Sequence, residues 1–429
     1  MPPRSHWAGA RREVRIAVLL CLAALAACDA ATTTETGAPL RSASSQTEAF
    51  LSWYWARPLS LQGKAPATLR SHETSLQPES CGTCHVEQLD GWRQSLHSRA
   101  MGPGVLGQLV NMAPHATQEH QECIRCHAPL GEQAESLVAA LAGRTKTKVA
   151  APARGRPLHE QGLVCAACHV RDYVWYGPPR RDGSQPAGDT AQSPHGGWTG
   201  DAAFEDSRFC AACHQFEAGG YALNGKLLEN TYEEWKASRH AREGRSCQAC
   251  HMPERRHLWR GIHDPETTRR GIAVRAVHPR VDAAGQVTAA LRLTNADTGH
   301  YFPTYATPRV VVTMRQETAS GKTLKGTIQQ HLIAREVTLD LSEELFDTRI
   351  APDEERVIAY RLGAHPRATH LAVEVRVEPD AFYTNFYRSQ LKDGARGPGR
   401  TLIAKALEHS LASHYILYAD RQRLPGISP

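Results

Sequence analysis

The sequence is short of three things: cysteines free for disulfides, an apolar run long enough to cross a bilayer, and a decisive excess of one charge. Of its 12 cysteines, ten fall in five copies of a single five-residue motif, which leaves two. That excludes a disulfide framework as the source of stability. The apolar run at residues 16–27 has the length of a signal-peptide core and is too short to span a membrane comfortably. The 50 Lys and Arg against 44 Asp and Glu give a formal charge of +6, by itself a weak argument for nucleic acid.

What is there instead is CxxCH, five times: Cys81/Cys84/His85, Cys123/Cys126/His127, Cys165/Cys168/His169, Cys210/Cys213/His214 and Cys247/Cys250/His251. Two thiols three positions apart can add across the two vinyl groups of one haem, and the next residue offers the iron an imidazole. Two CxxC clips can also close a tetrahedral zinc site. Zinc requires neither a histidine after every clip nor an odd number of clips, so the pattern reads as five covalently bound haem c groups. Successive motifs start 42, 42, 45 and 37 residues apart, which suggests a repeated haem-binding unit.

The two remaining cysteines belong to export. Arg4, Arg11, Arg12 and Arg15 precede the apolar run and Cys21 lies within it, so residues 1–27 are expected to be removed as a signal peptide. The run ends Leu25-Ala26-Ala27-Cys28, which resembles a bacterial lipobox, with Cys28 the expected lipidation site and mature N-terminus. The alternative is cleavage after Ala26 with Cys28 left free. Haem is attached to c-type cytochromes outside the cytoplasm, on chains exported unfolded, so the general secretory route suits better than the twin-arginine route that Arg11-Arg12 invites. Loss of residues 1–27 removes four Arg and one Glu, taking the formal charge from +6 to +3. Two propionates on each haem then leave a neutral to acidic holoprotein, and no nucleic-acid partner is expected.

Residues 28–49 contain a stretch rich in Ala, Thr and Ser that suits a lipid-anchored tether. Residues 50–268 are expected to form a pentahaem cytochrome c domain of short helical pieces broken by loops, with a long Gly/Pro-rich connection at 177–200. It has so little apolar sequence that the porphyrins must serve as its core. Trp53, Tyr54 and Trp55 either cover a haem edge or pack as ordinary core, the latter being the plainer reading. After about residue 270 the texture changes. Val287, Ala289, Leu291 and Leu293 alternate with Thr288, Ala290, Arg292 and Thr294, and Leu371, Val373, Val375 and Val377 alternate with Ala372, Glu374, Arg376 and Glu378. Period two predicts half-buried strands, and residues 309–314 and 356–362 are further candidates. A β-sandwich over 269–400 follows. Residues 402–417, with Leu407 and Leu411 one turn apart, predict a terminal helix within a tail at 401–429. The fold class is α+β: a haem-packed, mostly helical and loop domain, then a β-sandwich and a terminal helix.

Sixteen histidines lie outside the motifs and the signal segment, more than five irons need as sixth ligands. Trp92-Arg93-Gln94-Ser95-Leu96-His97 and Trp235-Lys236-Ala237-Ser238-Arg239-His240 share WxxSxH, and repeated surroundings suggest repeated use, which makes His97 and His240 candidates. Two exposed helix histidines are the competing reading. WxxSxH, Phe209-Cys210-Ala211-Ala212-Cys213-His214-Gln215, Thr231-Tyr232-Glu233-Glu234-Trp235, Cys247-Gln248-Ala249-Cys250-His251-Met252-Pro253 and Gly261-Ile262-His263-Asp264-Pro265 together carry a resemblance. Over roughly residues 78–420 the chain resembles multihaem cytochromes of the c-552/4 type. Relatives often append a β-sandwich with a glycine-histidine turn like Gly299-His300-Tyr301-Phe302-Pro303-Thr304. The resemblance implies bis-histidine haems with His97, His195 and His263 as distal ligands, and His300 reaching from the sandwich to a haem. His240 and His257 compete for the remaining place, with His115, His120 and His159 as weaker candidates. A plain loop histidine is the alternative for His300, and Met252 is expected to pack rather than to ligate.

Three functions fit. One is a lipid-anchored cytochrome passing electrons through closely spaced bis-His haems in the cell envelope, facing the periplasm or the outside, between redox partner proteins or a quinol-linked membrane donor and an acceptor. Another is an oxidoreductase acting on a small nitrogen or sulfur compound at an iron with an open sixth position. A third is a haem-wire filament in which one chain's histidine ligates the next chain's haem. All five motifs end in His, with no CxxCK variant of the kind found in nitrite-reducing relatives, and this favours the electron carrier over a substrate-converting enzyme.

Overall fold

The computed structural model describes residues 43–113, 116–143, 156–184, 193–394 and 397–426. The expected signal peptide, Cys28 and His115 lie outside the described residues, as does part of the 177–200 connection. Ser44–Pro429 form one compact unit, and no described helix is long and apolar enough to cross a membrane.

Order begins before Phe50, inside the segment expected to be tether. Helix α1 (Ala43–Tyr54) ends on Tyr54, which is wholly buried. Its hydroxyl donates to the Cys168 carbonyl at 2.8 Å, and the Arg171 guanidinium lies 4.0 Å over its ring. Arg171 also donates from Nε and Nη2 to the Tyr54 carbonyl at 3.0 and 2.9 Å. Phe50 stacks on Tyr54 at 4.8 Å. Tyr54 is therefore core, clamped to the third CxxCH, whereas Trp53 stays exposed.

Between residues 78 and 271 the chain makes short helices separated by loops. Two small apolar clusters hold it: one joins Leu59, Leu89, Trp92, Leu130, Val164 and Val170. The other joins Met101 and Leu109 to Ile124, Ala128 and Leu137, beside α2 (Pro103–Asn111) and α3 (Thr117–His127).

The sandwich has two antiparallel sheets. Strands β1 (Ile272–Val281), β2 (Gln286–Asn295) and β6 (Glu355–Gly363) form one, in the order β6-β2-β1; β3 (Arg309–Glu317), β4 (Gln329–Val337), β5 (Glu344–Asp347), β7 (His370–Glu378) and β8 (Tyr415–Arg423) form the other, ordered β5-β4-β3-β7-β8. The alternating residues face inward as their period requires: Val287, Leu291 and Leu293 meet Val310, Val312, Met314, Leu371, Val373, Val375 and Val377 in one continuous core. Strand β1 lacks a clean alternation because its register slips between Val277 and Arg280, where Pro279 cannot donate to a ladder; it sits at a sheet edge.

The C-terminal end differs from the expected single helix at 402–417. Two helices, α4 (Ala381–Asp393) and α5 (Gly397–Ala412), follow β7, and the chain then returns as β8 to pair with β7. The aromatic and β-branched run Tyr415-Ile416-Leu417-Tyr418 fits a pleated surface better than a helix. The free edge of β7 supplies ladder partners for the inward-turned backbone groups of that segment, and Arg269 donates to the carbonyls of Ile416 and Leu417 on its other side.

Two arginines tie the sandwich to the motif region. Arg335, 1% exposed, donates to the carbonyls of Leu227, Lys226 and Leu223 at 2.5, 2.8 and 3.2 Å and pairs with Glu344 at 2.8 Å. Arg349 pairs with the buried Glu234 at 2.9 Å, whose other oxygen accepts the Tyr301 amide at 3.1 Å.

Candidate haem sites

Four of the five motifs end a short helix at their histidine: Thr117–His127, Cys165–His169, Arg208–His214 and Cys247–His251. Positions i, i+3 and i+4 lie on one helix face, so two thiols and an imidazole point the same way.

The first motif departs from this pattern at Cys84. Its helix stops at Cys81, and His85 caps the next one, so Cys84 stands in the turn between two helices. Cys84 is exposed, as Cys250 is at the end of the fifth motif, whereas the other eight motif cysteines are partly buried. The backbone spacing survives, because the amides of Cys84 and His85 both donate to the Cys81 carbonyl, at 3.2 and 3.0 Å. Exposure does not bar a thioether, which needs only that the sulfur reach its vinyl group, but it leaves Cys84 with less packing to aim it than Cys81 has.

The imidazoles have the chemistry of metal ligands. Nδ1 of His127, His169 and His251 lies 2.7, 2.8 and 2.6 Å from the carbonyls of Ala100, Tyr176 and Arg260. In a neutral ring, an Nδ1–H donated to a carbonyl fixes the tautomer that leaves the Nε2 lone pair free, the arrangement that metal-binding histidines use. Desolvation pushes His97 down to about 3 and His214, His257 and His300 to about 4, so these four rings are uncharged at neutral pH.

Four motif histidines face a second histidine. The ring centres of His85 and His195 are 6.5 Å apart, those of His214 and His97 6.3 Å, His169 and His257 6.1 Å, and His251 and His300 6.4 Å. These rings are too far apart to touch. An iron between two imidazoles would set their centres about 6 Å apart, from roughly 2 Å per metal–nitrogen bond and about 1 Å from each nitrogen to its ring centre. The opposing rings are oriented the same way as the motif ones, with Nδ1 of His195, His257 and His300 at 2.8, 3.1 and 2.9 Å from the carbonyls of Gly197, Arg255 and Tyr301. The residues present therefore fit haem.

His240 and His263 face no motif histidine among the described residues. Arg245 donates to His240 Nδ1 at 3.0 Å, which orients that ring opposite to a ligand, and its buried Nε2 lies 3.8 Å from Asp297 Oδ1. His263 presents Nε2 to Asp380 Oδ1 at 3.0 Å, so the nitrogen that would meet a metal is taken. His120 and His159 are buried, the latter bonded to Ser136 at 2.8 Å, and neither faces a motif histidine. The repeated WxxSxH is a repeated turn: Ser95 donates to Trp92 O and Ser238 to Trp235 O, each at 2.7 Å, and both indoles donate to a distant carbonyl. What the histidine then meets depends on the surroundings. Under His97, Gly162 has φ +69°, and a Cβ there would stand 2.3 Å from His97 O. Over His240, the turn carrying His300 closes down on Gly299, where a Cβ would meet Trp235 at 2.9 Å.

The motifs touch one another through their thiols: Cys81 with Cys165, Cys126 with Cys213, and Cys210 with Cys247. The first motif thus adjoins the third, and the fourth adjoins both the second and the fifth. Beside the second motif stand groups that nothing in the sequence marked: Tyr383 feels the charge of Cys123, and Glu229 that of Cys126.

Residues 80–170, which hold the first three motifs, match the family model described as cytochrome c554 and c-prime. No curated protein matches the chain. Among solved structures, a penta-heme cytochrome c552 from Thermochromatium tepidum is similar at 18% identity, with a TM-score of 0.53 over 82% of this chain and 99% of that one. The structural-genomics target SoR45 aligns at 10% identity over 37% of this chain and 88% of that one, with a TM-score of 0.17 that carries no argument. The family match and the shared fold support a multihaem c-type cytochrome of the c552/554 type.

Proposed function

We propose that this multihaem c-type chain is a five-haem electron carrier, held in the cell envelope by a lipid on Cys28 and relaying electrons between a membrane-side donor and a partner protein. The observation that carries the reading is the set of four histidine pairs with ring centres 6.1 to 6.5 Å apart. Bound haem supplies one-electron chemistry at iron. The chain's share is to fix the spacing and to supply two imidazoles to each of the four paired irons. His97 is wedged by Trp259 at 4.7 Å and His195 by Trp175 at 4.7 Å, contacts that hold the rings against rotation. Left-handed backbone at His195 (φ 44°) and Trp259 (φ 41°) costs about 1–3 kcal/mol each, which the surrounding packing must offset.

The thiol contacts support a branched order, from the first motif to the third, and from the fourth to both the second and the fifth. Intact mass of the purified holoprotein tests the haem count, and fewer than five haem additions would refute it. Electron paramagnetic resonance of the oxidised protein tests the caps: His97→Ala should turn one low-spin haem high-spin and leave the other three paired ones alone. For the anchor, Cys28→Ser should release the protein from membranes, and unchanged fractionation would count against lipidation.

A further inference from the structure

The thiol contacts join the first motif to the third, and the fourth to the second and the fifth, and none of these three contacts joins the third to the fourth. Trp259 stands at that junction. Its ring centre lies 4.7 Å from that of His97, which faces the fourth motif's His214, and 5.0 Å from that of His257, which faces the third motif's His169. The indole crosses the two imidazoles at 60° and 88°, so neither can turn far about its own side-chain bonds without meeting it. The indole is itself held from the fifth motif: the Trp259 amide donates to the His251 carbonyl at 3.0 Å, and the Arg260 carbonyl lies 2.6 Å from His251 Nδ1. On the other side the His257 carbonyl rests against Gly91, where a Cβ would come within 3.0 Å of it. Trp259 has φ 41°, a left-handed backbone that Gly or Asn adopts more readily, so the ring and not the turn accounts for tryptophan here.

The opposed imidazoles differ according to this contact. Their planes are inclined by 41° in the His97 and His214 pair and by 37° in the His169 and His257 pair. The pairs that Trp259 does not touch through its ring are closer to parallel, 29° for His85 and His195 and 10° for His251 and His300. Axial ligation is one of the levers a protein has on haem iron, and the angle between two imidazole planes governs the g values of the low-spin ferric state. We propose that Trp259 is a positioning residue shared by the third and fourth haems, which sets the axial ligand planes of both irons from a single ring. The inference rests on the paired-histidine reading above and deepens it: the two groups of haems defined by the thiol contacts meet at irons whose ligand geometry is fixed jointly.

Electron paramagnetic resonance of the oxidised holoprotein tests this, with the third and fourth haems assigned by the low-spin signals lost in His257→Ala and His97→Ala. Trp259→Leu keeps an apolar side chain on the same backbone and removes the ring. It should shift the largest g values of both the third and fourth haems and leave those of the first and fifth in place. Trp259→Phe restores a ring and should return both signals part of the way; if the Leu variant does not load its haems, the smaller joint shift in the Phe variant decides. A redox titration followed at the same signals should find the third and fourth potentials moved and the first and fifth unmoved. Trp175 stacks on His195 at 4.7 Å and 21° and meets only that one of the paired histidines among the described residues, so Trp175→Phe should move the first haem's signal alone. Unshifted signals in Trp259→Leu, or a shift confined to one haem, would overturn the proposal. So would an equal shift in all four, which would mark a general loosening of the cluster around Leu89 and Trp92 against which Trp259 packs. If His97→Ala or His257→Ala removes no low-spin signal, the histidine pairing itself fails, and the two failures are distinguishable.

Discussion

The sandwich and the motif region bury their interiors by different means. In the sandwich, residues from seven of the eight strands meet in one continuous apolar core that runs from Ile272 to Leu424. In the motif region the apolar side chains form two small clusters, and four motif histidines face a second histidine across a gap of 6.1 to 6.5 Å between ring centres. A fold that buries histidine pairs at a fixed gap depends on whatever fills the gap, whereas a fold that buries Val and Leu depends only on itself. The first region should stand or fall with its cofactors, and the second should not.

The largest effect expected is therefore from withholding haem. In a chain produced without haem attachment, amide hydrogen exchange should show residues 78–271 unprotected while β2, β3 and β7 remain slow. Equal protection in both regions would abolish the contrast. Next comes the join between them. Glu234→Ala leaves Arg349 buried with one partner fewer, and loss of one member of a buried pair costs about 3–5 kcal/mol. Denaturant unfolding of the holoprotein would measure it, and a double variant with Arg349→Met that recovers most of the loss would identify the unpaired charge as the cause. Inside the sandwich, Leu291→Ala should cost roughly 2–5 kcal/mol from the cavity left at a fully buried site, with the haem spectrum unchanged.

A smaller effect separates the regions by pH. Burial raises the Glu229 carboxyl from 4.5 to about 8. Between those values the folded chain keeps a proton that the unfolded chain releases, so this group makes stability fall as pH rises through the window. Glu229→Gln should flatten the unfolding midpoint between about pH 4.5 and 8, and an unaltered slope would mean the carboxylate is already ionised in the fold. The smallest effect belongs to the surface: Arg181→Ala, which removes an exposed pair with Glu254 at 3.4 Å, should change stability by less than about 1 kcal/mol.

How far the sequence could be read follows the same division. Covalent chemistry is local, so CxxCH announced its thiols and imidazoles at i, i+3 and i+4 without any knowledge of the fold. It did not announce that Cys84 would sit exposed in a turn, because burial depends on what packs over a motif and not on its spacing. Strands with one dry face announced themselves by period two, and the inward residues of β2 and β7 are those the alternation picked out. Residues 402–417 misled because a two-residue hydrophobic signal, Leu407 and Leu411, ran into a segment whose conformation is decided by the open edge of β7. WxxSxH misled in another way. It encodes a turn, and the turn forms twice, but a turn does not say what its histidine will face.

The sequence by itself determined how many haems can be attached and where the chain must alternate, because a thioether needs only its own cysteine and a strand face needs only its own period. Which histidine opposes which could not be read there. His300 meets His251 because Gly299 lets a sandwich loop settle over Trp235, and His263 turns to Asp380 because α4 brings that carboxylate to it. Each of these is a contact between segments about 50 to 120 residues apart. Such contacts are settled by how the two regions pack, and packing is a property of the whole folded chain.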